Sequence, residues 1–265
     1  MNAREVIFDV CGDYLRYLDE PPRLSVISQL LEPLGYTPTN IRMALSRMRR
    51  SGWFITERDG REARYRISEK TIKFLDDGYT RIFSLPTQTW GHQWVLADVS
   101  DKDLSRSDKD RLFKKLEWER FAPMTGNFWV SALQDVNESR QALDRAGVEE
   151  FSIATLRTES LEKDRKIARR CWDLEELTQA RSAFLSKWTP AMTDEGLSPL
   201  LAYQRRITLI SDYRRIVHQD PQLPAILHPT GPSPLVAHQV FVQVHDFLAP
   251  LATAFVSSVN TPIEP

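Results

Sequence analysis

The chain has 265 residues, of which 42% are hydrophobic and 27% are charged, and its formal net charge is -1 at pH 7. These values are typical of a globular protein with two or three domains, and they do not suggest that the whole molecule is a nucleic-acid-binding polycation. The two cysteines do not suggest a disulfide framework or a zinc site. We see neither a signal peptide nor an uninterrupted apolar span, so we expect a soluble cytoplasmic protein without membrane contact.

The first 85 residues predict three helices followed by a β-hairpin. Apolar residues recur at helical spacing over residues 7–18 and again over residues 24–34. A third helix is predicted to begin after Thr37-Pro38, because a capping side chain followed by proline is typical of a helix start. Two short strands, residues 53–56 and 63–67, flank an Asp59-Gly60 turn signal. This order of elements predicts a winged helix-turn-helix.

Positive charge is concentrated in the same region. Residues 36–70 contain nine Lys and Arg residues against four Asp and Glu residues, a net charge of +5. A local basic surface on a nearly neutral chain is typical of proteins that bind DNA phosphates. The candidate DNA-binding residues are the outward-facing residues of the third helix and the arginines near the hairpin: Thr39, Asn40, Arg42, Met43, Ser46, Arg47, Arg49, Arg50, Arg58, Arg61 and Arg64.

These residues divide into two roles. Side chains near the start of the third helix are expected to reach base edges, where Asn pairs with adenine and Arg with guanine. Arg49, Arg50 and the hairpin arginines are expected to contact backbone phosphates. Two alternatives stay open: a solvated basic surface without a ligand, and an adaptor surface that binds an acidic protein.

Residues 90–160 predict a small α+β domain. Strands are expected at residues 92–99, near Phe121, at residues 127–133 and at residues 151–156, with helices at residues 109–118 and 136–146. This βαββαβ order is that of a ferredoxin-like fold. Asp98, Asp101 and Asp103 raise the alternative of a magnesium-dependent nuclease, although a solvated acidic loop is the simpler interpretation.

Residues 161–258 predict helices broken by proline-rich loops. A helix over residues 203–217 brings Arg206, Tyr213 and Arg214 to or beside its apolar stripe. These side chains are candidate effector-binding residues, because arginines hold phosphates and aromatic rings cover acyl groups. The alternative is that the arginines form salt bridges between domains. No metal-ligand spacing, glycine-rich phosphate loop or nucleophile motif occurs, so we expect no enzyme activity, no metal and no required cofactor.

Several stretches of this sequence are similar to those of a known family of transcriptional regulators. The run from Asn40 to Phe54 and the turn Arg58-Asp59-Gly60-Arg61-Glu62 followed by Tyr65 resemble the PaaX family, as does Asp220-Pro221-Gln222-Leu223-Pro224 more weakly. The resemblance implies an α+β multidomain fold: a winged helix-turn-helix at residues 1–85, a ferredoxin-like (Cas2-like) domain at residues 90–160, and a helical domain at residues 161–258 for effector binding or dimerisation.

The same resemblance implies a function. A PaaX-type protein would be a homodimeric repressor of aromatic-acid (phenylacetate-type) catabolism genes, bound to double-stranded operator DNA. An aryl-CoA thioester such as phenylacetyl-CoA would release it from the operator.

Overall fold

The computed structural model describes residues 2–59, 62–84, 90–99, 104–133, 135–193 and 196–260, and for residues 58, 59 and 62 it describes the backbone only. The chain divides into two compact units. The first contains residues 1–84, 185–215 and 238–265, and the second contains residues 85–184 and 216–237. The N-terminal elements therefore share one compact unit with parts of the C-terminal region. The predicted division into three consecutive domains, at residues 1–85, 90–160 and 161–258, stays a prediction.

The N-terminal part of the first unit contains four helices and a two-stranded antiparallel sheet. In chain order these are α1 (Ala3–Asp13), α2 (Leu24–Leu31), α3 (Pro38–Arg50), β1 (Phe54–Asp59), β2 (Glu62–Ile67) and α4 (Glu69–Phe83). Three helices followed by a hairpin occur in the predicted order. Of the predicted Asp59-Gly60 turn, Asp59 is the last residue of β1, and Gly60 lies outside the described residues.

The first two helices end earlier than the sequence predicted. The helix expected to reach Leu18 ends at Asp13, and the one expected to reach Leu34 ends at Leu31. In both places a short 3-10 helix continues the chain, at Leu15–Tyr17 and Glu32–Leu34. Pro33 in the second of these has no backbone N–H, so it cannot continue the α-helical hydrogen bonds. The apolar periodicity continued past both helix ends, which is why the sequence placed them too late.

The core of this region is formed by the apolar stripes of the first three helices. Ile7 and Val10 of α1, Leu30 of α2, and Ile41 and Leu45 of α3 have no more than about one per cent of their surface exposed. All five lie at helical spacing in the sequence, and burying aliphatic side chains of this size stabilises the fold by about 1.5–3 kcal/mol each. The position of α3 is therefore set by its inward face.

The second unit is built around a four-stranded antiparallel sheet. Its elements are β3 (Trp94–Val99), α5 (Arg106–Trp118), β4 (Ala122–Thr125), β5 (Phe128–Ser131), α6 (Val136–Ala146) and β6 (Phe151–Leu156). The strand order is β4-β5-β3-β6. The predicted βαββαβ order of a ferredoxin-like fold is therefore present. One face of the sheet packs on α5 and α6 through residues such as Val95, Leu116 and Leu143.

Four further helices complete the chain: α7 (Leu161–Cys171), α8 (Leu174–Trp188), α9 (Pro199–Gln219) and α10 (Pro234–Asn260). Within the part of the chain that the structure describes, α10 is the one helix whose length and composition would allow it to cross a membrane. Phe241, Val244 and Leu248 of α10 are fully buried. An apolar helix with one buried face is also what the core of a globular protein requires.

Candidate nucleic-acid interface

The two ends of α3 are fixed by local hydrogen bonds. Thr37 caps the helix, since its hydroxyl accepts a hydrogen bond from the backbone N–H of Asn40 at 3.3 Å. Pro38 occupies the first turn, where a missing N–H does no harm. At the other end Gly52 adopts a positive φ of 75°, and the backbone N–H of Trp53 donates to the carbonyl of Met48 at 2.9 Å. This is a glycine-based helix stop, so both limits of α3 are encoded in the sequence around it.

The start of α4 supports the connection between α3 and β1. The hydroxyl of Ser68 donates to the carbonyl of Gly52 at 2.8 Å, and the hydroxyl of Thr71 donates to the carbonyl of Trp53. The ammonium group of Lys70 donates to the carbonyl of Ser51 at 3.0 Å. These three side chains bind successive carbonyls just after α3, so they hold its C-terminal end in place. Sequence reasoning missed them because the contact joins segments about 18 residues apart.

An aromatic cluster lies next to this connection. The ring of Trp53 packs edge-on against Phe8, with ring centroids 5.1 Å apart, and lies 5.3 Å from Phe74. Two cations lie over the Trp53 ring, the Lys70 ammonium at 4.1 Å and the Arg4 guanidinium at 5.4 Å from its centroid. Positive charge therefore also flanks the C-terminal end of α3.

The outer face of α3 carries all eight of the residues that the sequence assigned to it. They are exposed to solvent along the whole helix: Thr39, Asn40, Arg42, Met43, Ser46, Arg47, Arg49 and Arg50. The inward face holds Ile41, Ala44, Leu45 and Met48, as predicted. Among the residues that the structure describes, no carboxylate forms an ion pair with the four arginines of this helix. A helix with a buried apolar stripe, and with arginines on its outer face that pair with no described carboxylate, can bind an anionic polymer.

The hairpin arginines are placed less uniformly. The guanidinium of Arg64 forms an ion pair with Glu20 at 2.8 Å and donates to the carbonyl of Pro21 at 3.1 Å. Arg64 thus ties β2 to the segment before α2 and has little freedom to reach a phosphate. The side chain of Arg58 and the whole of Arg61 lie outside the described residues. Their predicted contacts stay predictions.

The three candidate effector residues are engaged inside the first unit. The guanidinium of Arg206 donates to both carboxylate oxygens of Asp13, at 2.6 and 3.0 Å, and to the backbone carbonyl of His245. The guanidinium of Arg214 donates to Asp9 at 2.8 and 3.3 Å. These contacts fit the alternative that the sequence left open, in which both arginines form salt bridges to another region of the chain.

The third candidate, Tyr213 of α9, packs against α10. Its hydroxyl is 3.2 Å from Nδ1 of His238, and its ring stacks on Phe241 at a centroid distance of 4.2 Å. Tyr213 is buried, so its polar group is satisfied within the fold.

The two carboxylates of α1 respond in opposite ways to burial. Burial raises the pKa of Asp9 to about 6, although the Arg214 guanidinium opposes the change. Burial also acts to raise the pKa of Asp13, but hydrogen bonds from His245 and Arg206 outweigh it, and the pKa lies below its ordinary value. The Asp13 carboxylate accepts hydrogen bonds from two side chains, Arg206 and His245, whereas Asp9 accepts from Arg214. The additional donor explains why the two pKa values shift in opposite directions. Asp13 is therefore connected to both α9 and α10, whereas Asp9 is connected to α9 through Arg214.

Two further bonds connect α9 to the segment that precedes α3. The hydroxyl of Tyr203 donates to the carbonyl of Leu30 at 2.8 Å, and the side-chain amide of Gln204 donates to the carbonyl of Pro33 at 2.5 Å. Leu30 lies in the last turn of α2, and Pro33 lies in the short 3-10 helix that follows it, just before α3. Sequence reasoning gave Tyr203 no such role, since a partner 173 residues away leaves no local pattern.

The acidic residues of the nuclease alternative are not brought together in what the structure describes. Asp98 is an exposed residue of β3, while Asp101 and Asp103 lie outside the described residues. Within the described residues no group of three or more His, Cys, Asp or Glu side chains is arranged to hold a metal ion. Nothing on the described surface therefore favours the nuclease interpretation.

The fold places the chain among multidomain α+β proteins with a Cas2-like central domain, and three family models match it in succession. They describe a PaaX-like protein at residues 2–71, a PaaX protein central Cas2-like domain at residues 87–168, and a PaaX-like protein C-terminal domain at residues 172–258. The chain belongs to the PaaX family, and the resemblance inferred from the sequence is confirmed.

Two individual proteins are similar to the chain over nearly its full length. The transcriptional repressor PaaX of Escherichia coli (strain K12) is 28% identical over 266 residues, which cover 97% of this chain and 84% of that protein. The uncharacterized protein Rv0674 from Mycobacterium tuberculosis has a TM-score of 0.61 at 21% identity, over 98% of this chain and 99% of that one. The second likeness shows the fold alone. The first agrees with the prediction that the chain is not an enzyme.

Proposed function

We propose that this chain is a DNA-binding transcriptional regulator whose α2, α3 and β1–β2 hairpin act as a winged helix-turn-helix. One observation carries the proposal: every residue assigned to the DNA-facing side of α3 is exposed, on a helix whose opposite side is buried. In such domains the second helix of the motif enters the major groove, and the hairpin contacts the flanking backbone. We refer to α3 as the recognition helix from here on.

The contacts divide by side chain. Asn40 and Arg47 are proposed to reach base edges, and Arg49 and Arg50 to hold phosphates. The cations at Arg4 and Lys70 extend the positive surface past the end of the recognition helix. Affinity would come mainly from the phosphates and sequence preference from the bases.

The finer function is proposed from the family. The E. coli relative is named a transcriptional repressor, and on that basis we propose that this chain is a repressor. From the family resemblance we propose further that it is a cytoplasmic homodimer. It would regulate genes of aromatic-acid (phenylacetate-type) catabolism and would leave its operator when it binds an aryl-CoA thioester. Two copies would present two recognition helices to the halves of an inverted repeat.

We propose that the contacts of α9 carry the effect of the effector to the operator-binding elements. Arg206 and Arg214 already pair with carboxylates of α1, so a CoA phosphate bound by either guanidinium would compete with Asp13 or Asp9. Loss of these pairs would loosen α1 from the helix that also bonds to the end of α2. Binding of effector at Arg206, Tyr213 and Arg214 stays a prediction. To reverse operator occupancy, the effector must favour the released form by several kcal/mol.

The test is a mobility shift on the DNA upstream of the chain's own gene, with phenylacetyl-CoA, free CoA or no addition. A specific shift that the thioester removes and free CoA does not would support both the repressor and the effector class. A specific shift indifferent to every thioester tried would leave a DNA-binding regulator with another effector. No specific shift at low salt would contradict the proposed function.

A further inference from the structure

The centre line of the exposed face of the recognition helix is occupied by four residues. Thr39, Met43, Ser46 and Arg50 follow one another at spacings of four, three and four, which keeps them on one line along a helix with 3.6 residues per turn. This line runs opposite the buried stripe that contains Ile41, Leu45 and Met48. When the helix lies in a groove, the centre line faces the groove floor.

The longer polar side chains lie on both sides of that line. Arg42 and Arg49 are seven residues apart on one side, and Asn40 and Arg47 are seven residues apart on the other. Seven residues make about two turns, so each pair forms a row parallel to the centre line. In a major groove about 12 Å wide, these rows face the two walls, where the phosphates and the outer base edges lie.

Met43 is the apolar member of the centre line. It is 53% exposed, whereas Met48 of the same helix is 2% exposed and belongs to the core. A single exposed apolar residue on an ordinary surface needs no explanation. Met43 differs because it lies between two rows of polar side chains, three of them arginines, on the face that would enter the groove.

An apolar side chain on the floor of the major groove has one complementary partner. Of the groups that the four base pairs present there, the C5-methyl group of thymine is apolar, and the others donate or accept hydrogen bonds. We propose that Met43 reads the 5-methyl group of a thymine in each half of the operator. This inference rests on the proposed function of α3 as the recognition helix, and it names a base that the helix selects.

The position of Met43 along the helix fits this role. It lies in the second turn, behind the N-terminus that Thr37 and Pro38 fix. In helix-turn-helix proteins the N-terminal part of the recognition helix contacts the base edges. The flexible, polarisable side chain can adapt to a methyl group without exact positioning.

The test removes the methyl group from the DNA. An operator is first selected from a random library with the full chain, and each thymine of one half-site is then replaced by deoxyuridine, which keeps base pairing but lacks the 5-methyl group. We expect one position at which this change weakens binding by about fourfold, the effect of losing one buried methyl group. The same position can be tested with a cytosine–guanine base pair. An operator with 5-methylcytosine there should bind the protein more tightly than an operator with unmethylated cytosine.

The variant Met43→Ala links the effect to the side chain. It should bind the thymine operator about as weakly as the original protein binds the deoxyuridine operator, and deoxyuridine should weaken it no further. Leu235→Ala is the matched control, since Leu235 is a similarly exposed apolar residue (46%) of α10, outside the elements proposed to bind DNA. Its dependence on the methyl group should equal that of the original protein.

The outcomes separate the two proposals. If an operator is selected but Met43→Ala keeps the full response to deoxyuridine, the methyl-reading inference is wrong and the DNA-binding proposal stands. If no sequence is selected, the proposed function itself fails. Thermal melting of Met43→Ala should match that of the unchanged chain, because an exposed side chain contributes little to stability.

Discussion

The hydroxyl of Tyr203 in α9 donates a 2.8 Å hydrogen bond to the backbone carbonyl of Leu30 in α2. The two residues are 173 positions apart, yet both belong to the first compact unit. The Tyr203 ring is fully buried and lies 5.7 Å from the ring of Tyr14. The support of the turn before the recognition helix therefore comes partly from the C-terminal half of the chain.

Removing this hydrogen bond should destabilise the first unit. Tyr203→Phe keeps the ring but deletes the donor, and we expect a loss of about 0.5–1.5 kcal/mol in the free energy of unfolding. Thermal melting and urea titration would measure it. Tyr17→Phe is the control, because Tyr17 is 65% exposed and should change stability very little. Equal stability of the two variants would show that the Tyr203 hydroxyl contributes nothing.

The Asp13–Arg206 ion pair should be the most sensitive polar contact between α1 and α9. Arg206→Met would leave the largely buried Asp13 carboxylate, 10% exposed, without its arginine partner, and we expect a loss of about 3–5 kcal/mol. The double variant Asp13→Asn with Arg206→Met removes the unpaired charge and should recover part of that loss. Chemical denaturation of the original chain, both single variants and the double variant gives the coupling energy. A double variant no more stable than Arg206→Met would contradict a specific pair.

Much of the fold was predictable because its signals are local. The limits of α3 followed from Thr37-Pro38 and Ser51-Gly52, and its two faces followed from apolar spacing. The ferredoxin-like order of the second unit followed from alternating strands and helices. The division into compact units was not predictable, because it depends on pairs such as Tyr203 with Leu30, and contacts over such separations leave no periodicity in the sequence.

The candidate site was likewise predictable where its signals are local, and not where its contacts join distant parts of the sequence. Exposure of the residues on α3 is a consequence of helix geometry alone, so it could be inferred from the positions of Ile41 and Leu45. The role of Arg64 could not, because its partners Glu20 and Pro21 lie more than 40 residues earlier. Charge counting treats every arginine of a basic region alike, whereas an arginine with a local carboxylate is less available to DNA.

The burial of Asp9 predicts a specific dependence on pH. Its pKa is about 6 in the folded chain against an ordinary value of 3.8, so between these values the folded state binds a proton that the unfolded state has lost. The stability contributed by this group therefore falls as the pH rises through that window, by about 3 kcal/mol in total. Melting curves of the original chain and Asp9→Asn, measured at several pH values, give the difference. As the pH falls, the free energy of unfolding of the original chain should rise relative to that of Asp9→Asn.

In the second unit, the burial of His228 should give stability the opposite dependence on pH from that of Asp9. Burial lowers its pKa below 6.5; Nδ1 lies 3.2 Å from the Arg181 guanidinium, and Nε2 lies 3.1 Å from the carbonyl of Leu223. The geometry suits a neutral ring that donates from Nε2 and accepts at Nδ1. The unfolded chain takes up a proton near pH 6.5 that the folded chain resists, so stability is lost as the pH falls below that value. His228→Gln should flatten this acid loss, and an unchanged pH profile would contradict it.

The arginines of the recognition helix should separate base contacts from phosphate contacts. Arg49→Ala removes a proposed phosphate contact, so it should weaken specific and non-specific DNA by similar factors and reduce the slope of log affinity against log salt concentration by about one. Arg47→Ala removes a proposed base contact, so it should weaken the operator by about 1–3 kcal/mol and non-specific DNA much less. Fluorescence anisotropy over a salt series, with operator and scrambled duplexes of equal length, measures both quantities. Because both side chains are exposed and neither is ion-paired within the described residues, folding should be unaffected. Identical behaviour of the two variants on both duplexes would mean that Arg47 contacts only the backbone.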